Sequence, residues 1–339
     1  MTSPLLGGME PREFLRRHWQ KRPLFVRNAL PGFAGVIDRR ALTALARRDD
    51  VESRIVERRG SRWHTVHGPF PRISFKNRNF TLLVSGVNLH SEAADTLLRR
   101  FSFIPQARLD DVMVSYAAPG GGVGPHVDSY DVFLLQGRGR RRWKAGAKTY
   151  LCAPGDLLYL PPGVEHDGIA LDSCYTCSIG FRAPRGAELG AAFLDWLHER
   201  GLPDAVYRDP DLAPASRPAR LPPEMLRFAR RALGQIRWSP RDVEDFLGRY
   251  LSAPKPHVVF AGGKGRGAWA RLDPKTQLLY SGARFFINGE SFSVPSRHRP
   301  AMRELADRRE IEADRLAGQA KLIREWQLAG YLHLVNTHG

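Results

Sequence analysis

The 339-residue sequence predicts a mainly β protein with helices before, after and between its strands, and three observations carry that prediction. Between residues 51 and 183, short apolar runs alternate with polar turns rich in Gly and Pro, the pattern of closely spaced strands. From 184 to 252 the apolar spacing turns helical. From 253 onward, strand-like and helical segments mix. With 42% hydrophobic and 26% charged residues, the chain has material for one sizeable core and two or three domains. No apolar run approaches the length of a membrane span, so no membrane contact is expected.

The elements follow in order. "PREFLRRHW" (11–19) and "DRRALTALARRDD" (38–50) read as opening helices, the first with Phe14 and Trp19 available for packing. "VESRIVE", "RWHTVHGPF", "FTLLVSGV", "DVMVSYAA", "YDVFLLQG", "TYLCAPGDLLYLPPG" and "CYTCSIGFRA" read as strands or edge pieces and close a β-rich region at 183. "ELGAAFLDWLHERG" (188–201) is amphipathic, with a Gly to end it. A Pro-rich linker (209–223) leads to the helix "EMLRFARRALGQI". Ser239-Pro240-Arg241-Asp242 then starts another helix, with an N-cap, a first-turn proline and a capping-box acid. Residues 184–252 thus form a small helical module whose apolar faces either pack on themselves or meet a second subunit. In 253–339, "HVVFAG", "AWARLDPKTQLLYSG" and "ARFFINGESFSVP" read as strands, and "HRPAMRELADRRE" and "DRLAGQAKLIREWQLAGYLHL" as helices. That mixture suits a winged-helix-like domain.

Net charge is +17, and only eight of the 52 basic residues are lysine. A field of that sign would draw the protein toward RNA or a ribosomal particle. So arginine-heavy a composition also follows from a GC-rich genome, and both readings stand. Cys152, Cys174 and Cys177 form no disulfide framework, and the N-terminus lacks the layout of a signal peptide. A reducing cytoplasm is therefore the expected compartment.

Chemistry concentrates in "GPHVDSYDVFLLQGRGRRRW" and "PGDLLYLPPGVEHDG". On a strand, His126, Asp128 and Tyr130 would share one face. Two histidines and a carboxylate on one side of an iron ion leave the open positions that non-haem oxygenases use. His166, behind two Gly/Pro turns, is the best second histidine. The pairing of HxD with PGD…PPG…H resembles the metal motifs of the double-stranded β-helix, the cupin jelly roll of Fe(II)- and 2-oxoglutarate-dependent dioxygenases. A chelating 2-oxo acid needs a cation for its far carboxylate. Arg138, Arg140, Arg141 and Arg142 are the candidates, with a hydroxyl from Ser115, or less favourably Tyr116 or Ser178. Tyr130, Asp131 and Glu165 are candidate substrate contacts, though alternation turns Asp131 away. Cys174 and Cys177 lack a second CxxC and read as core cysteines. The glycines at 120–124 and 261–267 complete no phosphate loop.

These phrases, together with "LRRHWQKRPL", "HGPF", "DDVMVSYAAPGGGVGPHVDSYDVF", "SIGFRAP" and "INGE…HRPAM", resemble the JmjC-type ribosomal oxygenases over essentially the whole chain. The similarity is to the bacterial members that hydroxylate an arginine of a large-subunit ribosomal protein. The resemblance implies a catalytic domain over 1–183, a helical dimerisation module over 184–252 and a winged-helix-like domain over 253–339. It implies Fe(II) on His126, Asp128 and His166, and 2-oxoglutarate on Arg141 with Ser115. It further implies dioxygen as cosubstrate, a homodimer, and C3 hydroxylation of an arginine in large-subunit protein sixteen. Histidine hydroxylation of a ribosomal protein, a JmjC demethylase and a non-catalytic cupin-like binding protein are the alternatives. The chain departs from the family in being short between Leu151 and Pro154, where a rim loop is expected. It also has Thr176 in place of an expected asparagine.

Overall fold

In the structure, a computed structural model that describes residues 4–336, alternation of side chains decides how each strand is used. Eleven strands precede residue 184: β1 (Leu24–Val26), β2 (Ser53–Arg59), β3 (Arg62–His67), β4 (Phe80–Val84), β5 (Leu109–Ala117), β6 (Val132–Gln136), β7 (Arg141–Ala145), β8 (Lys148–Cys152), β9 (Leu157–Leu160), β10 (His166–Ala170) and β11 (Cys174–Phe181). They form an eight-stranded sheet in the order β1-β9-β6-β11-β5-β4-β2-β3 and a three-stranded sheet, β10-β7-β8, with antiparallel pairing throughout.

Each face of the larger sheet has its own core. On one face, Phe133, Leu135, Leu157, Tyr159, Ile179 and Phe181 pack with the helices α1 (Pro11–Arg17), α2 (Arg39–Leu45) and α3 (Glu92–Arg99) through Phe14, Leu42 and Leu98. On the other, Val132, Leu134, Leu158 and Leu160 meet Trp143, Ala145 and Cys152 of the smaller sheet. The two sheets therefore face each other as the walls of a jelly roll. Cys174 and Cys177 fall on opposite sides of β11, the first with Ala117 and Ala170, the second in the helix-covered core.

Two buried aspartates tie irregular segments to this frame. Asp156 accepts hydrogen bonds from Arg27 Nη1 (2.6 Å), Asn28 N (2.8 Å) and Ala153 N (2.9 Å), which closes a short β8–β9 turn. Asp131, fully buried, accepts from Tyr159 Oη (2.6 Å) and Gln20 Nε2 (3.1 Å), with Arg108 3.6 Å away.

By its internal contacts the chain divides into two units. One comprises Pro184–Ala253 and Leu278–Val294. It contains α4 (Gly186–Glu199), α5 (Pro223–Gly234), α6 (Pro240–Ser252) and the meander β13 (Leu278–Ser281), β14 (Arg284–Ile287) and β15 (Glu290–Ser293). Gly248 of α6 lies against Phe286, so closely that a Cβ there would come within 2.4 Å of the ring. Phe193, Trp196, Trp238 and Phe246 form an aromatic cluster between α4 and α6.

The other unit adds to the jelly roll a sheet β16-β12-β17, from β12 (Trp269–Leu272), β16 (Glu310–Glu312) and β17 (Leu332–Val335), with helices α7 (Arg299–Arg308) and α8 (Ala320–Ala329). The structure corrects two expectations here. "HVVFAG" is not a strand, and it runs into the Gly-rich stretch 262–267, which holds no ladder. "GYLHL" does not continue the helix: Gly330, in the left-handed conformation, caps α8 and releases Leu332–Val335 to pair with β12. His338 lies outside the described residues.

Packing inside the jelly roll is tight around one glycine. A Cβ on Gly168 would lie 2.5 Å from the Trp143 ring. Gly168→Ala should destabilise the fold by about 1–3 kcal/mol, read as a lowered thermal midpoint, whereas Gly146→Ala, with open space around the added methyl, tests the cost of a left-handed turn alone.

Candidate metal centre

Backbone pairing brings two imidazoles together. His126 N donates to the His166 carbonyl at 3.1 Å, and His166 N donates back at 2.9 Å, an isolated antiparallel bridge that sets the ring centres 4.2 Å apart. Each ring is then oriented locally: Nδ1 of His126 is 2.9 Å from the Gly124 carbonyl, and Nδ1 of His166 is 2.9 Å from the Val164 carbonyl. An Nδ1–H committed to a carbonyl leaves Nε2 with the lone pair a metal requires. Asp128 completes the set, its Oδ2 3.6 Å from His166 Nε2. One donor atom from each residue lies within 4.8 Å of the others, a spacing one divalent ion can span. Two imidazoles with one carboxylate suit non-haem iron.

The way these side chains converge differs from the expected one. Residues 127–131 are irregular, and β6 begins only at Val132. His126, Asp128 and Tyr130 are therefore not neighbours on a strand face. The bridge to His166 positions His126, and Gly163 N donating to the Asp128 carbonyl at 2.9 Å ties the PPG turn to the HxD segment. Burial pushes the His166 imidazole below its ordinary pKa, opposed by the Val164 carbonyl and Asp128.

Behind the metal ligands, the facing walls of the jelly roll carry buried polar groups. Arg141, the first residue of β7, is 4% exposed, and its Nε and Nη2 have no hydrogen-bond partner. A guanidinium buried in that state is costly unless an anion meets it. Its carbon lies 5.5 Å from the Trp143 ring centre, and Trp143 lies 5.9 Å from the His166 ring, with its own Nε1 also unpartnered. Ser115 is buried on β5, opposite Thr176 of β11, and donates to the Thr176 carbonyl at 3.5 Å. Thr176 donates its hydroxyl to Gln136 Oε1 at 3.1 Å. Arg138, Arg140 and Arg142 are exposed, and Arg140 pairs with Asp172. Tyr116 faces the helix-covered core, and Ser178 is buried on β11.

The candidate substrate contacts separate. Tyr130 is 39% exposed beside the centre, its phenol pushed up to about 12 by burial and by the charges of Asp128 and Asp111. Asp131, with its oxygens bonded to Tyr159 and Gln20 in the core, offers nothing to a substrate, which corrects that expectation. Glu165 is exposed, and on β10's approach it precedes the ligand His166 and so faces the other way. Asp110 and Asp111, at the head of β5, were not singled out in the sequence. Burial and the neighbouring Asp110 charge push Asp111 up, Lys255 opposing, and Gly86 N donates to it at 2.7 Å. Lys255 Nζ lies 3.3 Å from Asp110. The signal was present as two adjacent acids opening an otherwise apolar strand.

The donor set makes a direct prediction. Co(II), followed by its visible absorption, should bind one equivalent, and His166→Ala should weaken it on the order of a hundredfold or more. Protonation removes an imidazole donor, and burial holds His166 below the ordinary value of about 6.5. Cobalt should therefore stay bound as pH falls through that value and leave only below it.

Comparison with known proteins agrees with this geometry. A family profile described as the JmjC domain matches residues 96–153 and 150–189, two pieces that meet at the short β8–β9 turn. A ROXA-like winged helix matches 235–333. The chain is 34% identical to the ribosomal protein uL16 3-hydroxylase of Escherichia coli, over 89% of this chain and 90% of that one. It is 37% identical to a probable ribosomal oxygenase of Haemophilus influenzae, over 60% and 55% of the two chains. A solved structure of the Escherichia coli ribosomal oxygenase YcfD in complex with cobalt and 2-oxoglutarate superposes with a TM-score of 0.82 at 32% identity, covering 96% of this chain and 98% of that chain. An identity of that size along almost the full length of both proteins, on a shared fold, places this chain in the family of JmjC-domain ribosomal oxygenases.

Proposed function

We propose that the protein hydroxylates an arginine of ribosomal protein uL16 at carbon 3, with Fe(II) on His126, Asp128 and His166 and 2-oxoglutarate anchored by Arg141. The observation that carries this reading is the buried guanidinium of Arg141, its Nε and Nη2 without a hydrogen-bond partner, in the same jelly roll as the three metal donors. A metal-storage protein of this fold has no use for a cation there.

Each residue has a distinct task. His126 and His166 present Nε2 because their Nδ1 atoms are held by carbonyls, and Asp128 offsets part of the ion's charge. Arg141 receives the distal carboxylate of 2-oxoglutarate through its unpartnered Nε and Nη2, and the Ser115 hydroxyl lies on the facing sheet. When bound together, ferrous iron, 2-oxoglutarate and dioxygen supply the oxidising chemistry that hydroxylates an unactivated C–H bond and yields succinate and carbon dioxide. Trp143, Val132 and Leu160 keep the interior dry. Tyr130, 39% exposed and two residues from the ligand Asp128, presents a phenol oxygen that can accept from a guanidinium and so help fix the target carbon relative to the ion.

The assembly is a homodimer. Helix α5 has no buried residue in the single chain, and Met225, Leu226 and Leu233 on it are 43%, 43% and 68% exposed. Such a face needs an apolar partner, and a second copy of the module supplies one. The compartment is the cytoplasm, where three buried, unpaired cysteines persist and ribosomal proteins are made. No helix among the described residues is long and apolar enough to cross a membrane.

Incubation with Fe(II), 2-oxoglutarate and a uL16 peptide should add 16 mass units to one arginine, matched by succinate. A shift on histidine, or a loss of 14, would move the assignment to the alternatives. Arg141→Met should weaken 2-oxoglutarate binding by about 2 kcal/mol or more, roughly thirtyfold in concentration, with little change in cobalt affinity. Leu226→Asp with Leu233→Asp should halve the mass measured by light scattering while preserving the metal site.

A further inference from the structure

Away from the metal centre, α2 and the β6–β7 turn help line an open cavity of about 930 Å³. Arg39, Arg40 and Arg47 line it from α2 and the residue stretch just beyond, and Arg138 lines it from the turn. Among the described residues none of these four guanidinia forms an ion pair, although arginines beside them do: Arg48 pairs with Asp50 at 2.5 Å, and Arg140 with Asp172 at 2.7 Å. The cavity's one acid, Asp38, is already used as the N-cap of α2, accepting from Ala41 N at 2.8 Å.

Four like charges around one hollow repel each other, and the concave shape concentrates their field. The arrangement is also partly fixed. Arg39 rests over the Phe75 ring at 5.1 Å, and Tyr175 stands in the lining with its phenol held protonated, pushed up to about 12 by burial. Guanidinium forks and a phenol donor match the oxygens of phosphate, which accepts two parallel N–H bonds from one arginine. The volume lies in the range of pockets that hold nucleotide-sized groups.

We propose that this arginine-lined cavity binds phosphates of single-stranded RNA, a contact separate from the metal centre and additional to the one made with the substrate protein. The phosphate chemistry stands on the cavity alone; the choice of RNA over a free nucleotide rests on the reading of a ribosomal protein as substrate. Each phosphate neutralised by a single strand should contribute about 0.7 to the slope of log K against log salt.

The test uses the full chain and a fluorescein-labelled single-stranded RNA decamer, titrated by anisotropy between low and moderate KCl. The wild type should bind with a steep salt dependence. The variant Arg39→Gln/Arg40→Gln/Arg47→Gln/Arg138→Gln should lose at least tenfold in affinity and flatten that slope by up to about three, with its thermal midpoint and peptide hydroxylation retained. A charge-matched control, Arg217→Gln/Arg220→Gln/Arg230→Gln/Arg231→Gln, should change far less. Equal losses in the two variants would reduce the effect to net charge and overturn the proposal. Displacement of the RNA by a mononucleotide or inorganic phosphate at micromolar concentration would overturn RNA as the partner and make the cavity a free-phosphate site. RNA binding is measured without turnover, so a failure of the peptide to be hydroxylated would count against the enzymatic reading and leave this result intact.

Discussion

The pair of backbone hydrogen bonds between His126 and His166 is the constraint on which the rest of the structure depends. The two histidines come from segments forty residues apart, on either side of β6 to β9. A two-residue bridge fixes their separation without relying on side-chain packing. Carbonyls at Gly124 and Val164 then fix both ring orientations, so the tautomers are set before any ion arrives. Asp128 needs only one further restraint, and the Gly163 amide provides it. Gly163 adopts a left-handed conformation, which explains why a glycine closes the PPG turn.

The same strands serve two purposes because their faces are assigned differently. The outward faces of β6, β9 and β11 are apolar and bind the helices, which fixes register. That register leaves the inward faces able to carry Ser115, Gln136, Thr176 and Arg141. Most of these satisfy one another, as Thr176 and Gln136 do. Arg141 does not, and a buried donor without a partner is informative because it is expensive.

Much of this was legible in the residues. Alternating runs separated by Gly and Pro turns gave the strands of the jelly roll, and the HxD and PGD…PPG…H segments held the residues that converge. The parity of β7 turned Arg141 and Trp143 inward and Arg140 and Arg142 outward. Other features needed the fold. A strand through His126, Asp128 and Tyr130 would have given the same neighbours for a wrong reason, because local spacing cannot reveal a bridge to a distant segment. Asp110 and Asp111 matter only through their closeness to Tyr130 and Lys255, which lie far away in sequence. Leu332–Val335 looked helical by its apolar spacing, until the left-handed Gly330 and the ladder to β12 decided otherwise. Pairwise contacts of long sequence separation supplied each of these corrections.

The incomplete pairing of Arg141 also bears on how long the protein survives. Anything that binds the native state and not the unfolded chain deepens the native well in proportion to the logarithm of its concentration. A dicarboxylate that satisfies two stranded guanidinium nitrogens is such a ligand, and the folded population would then rise and fall with the supply of that acid. On that reading, the empty protein would be the form most exposed to unfolding and proteolysis.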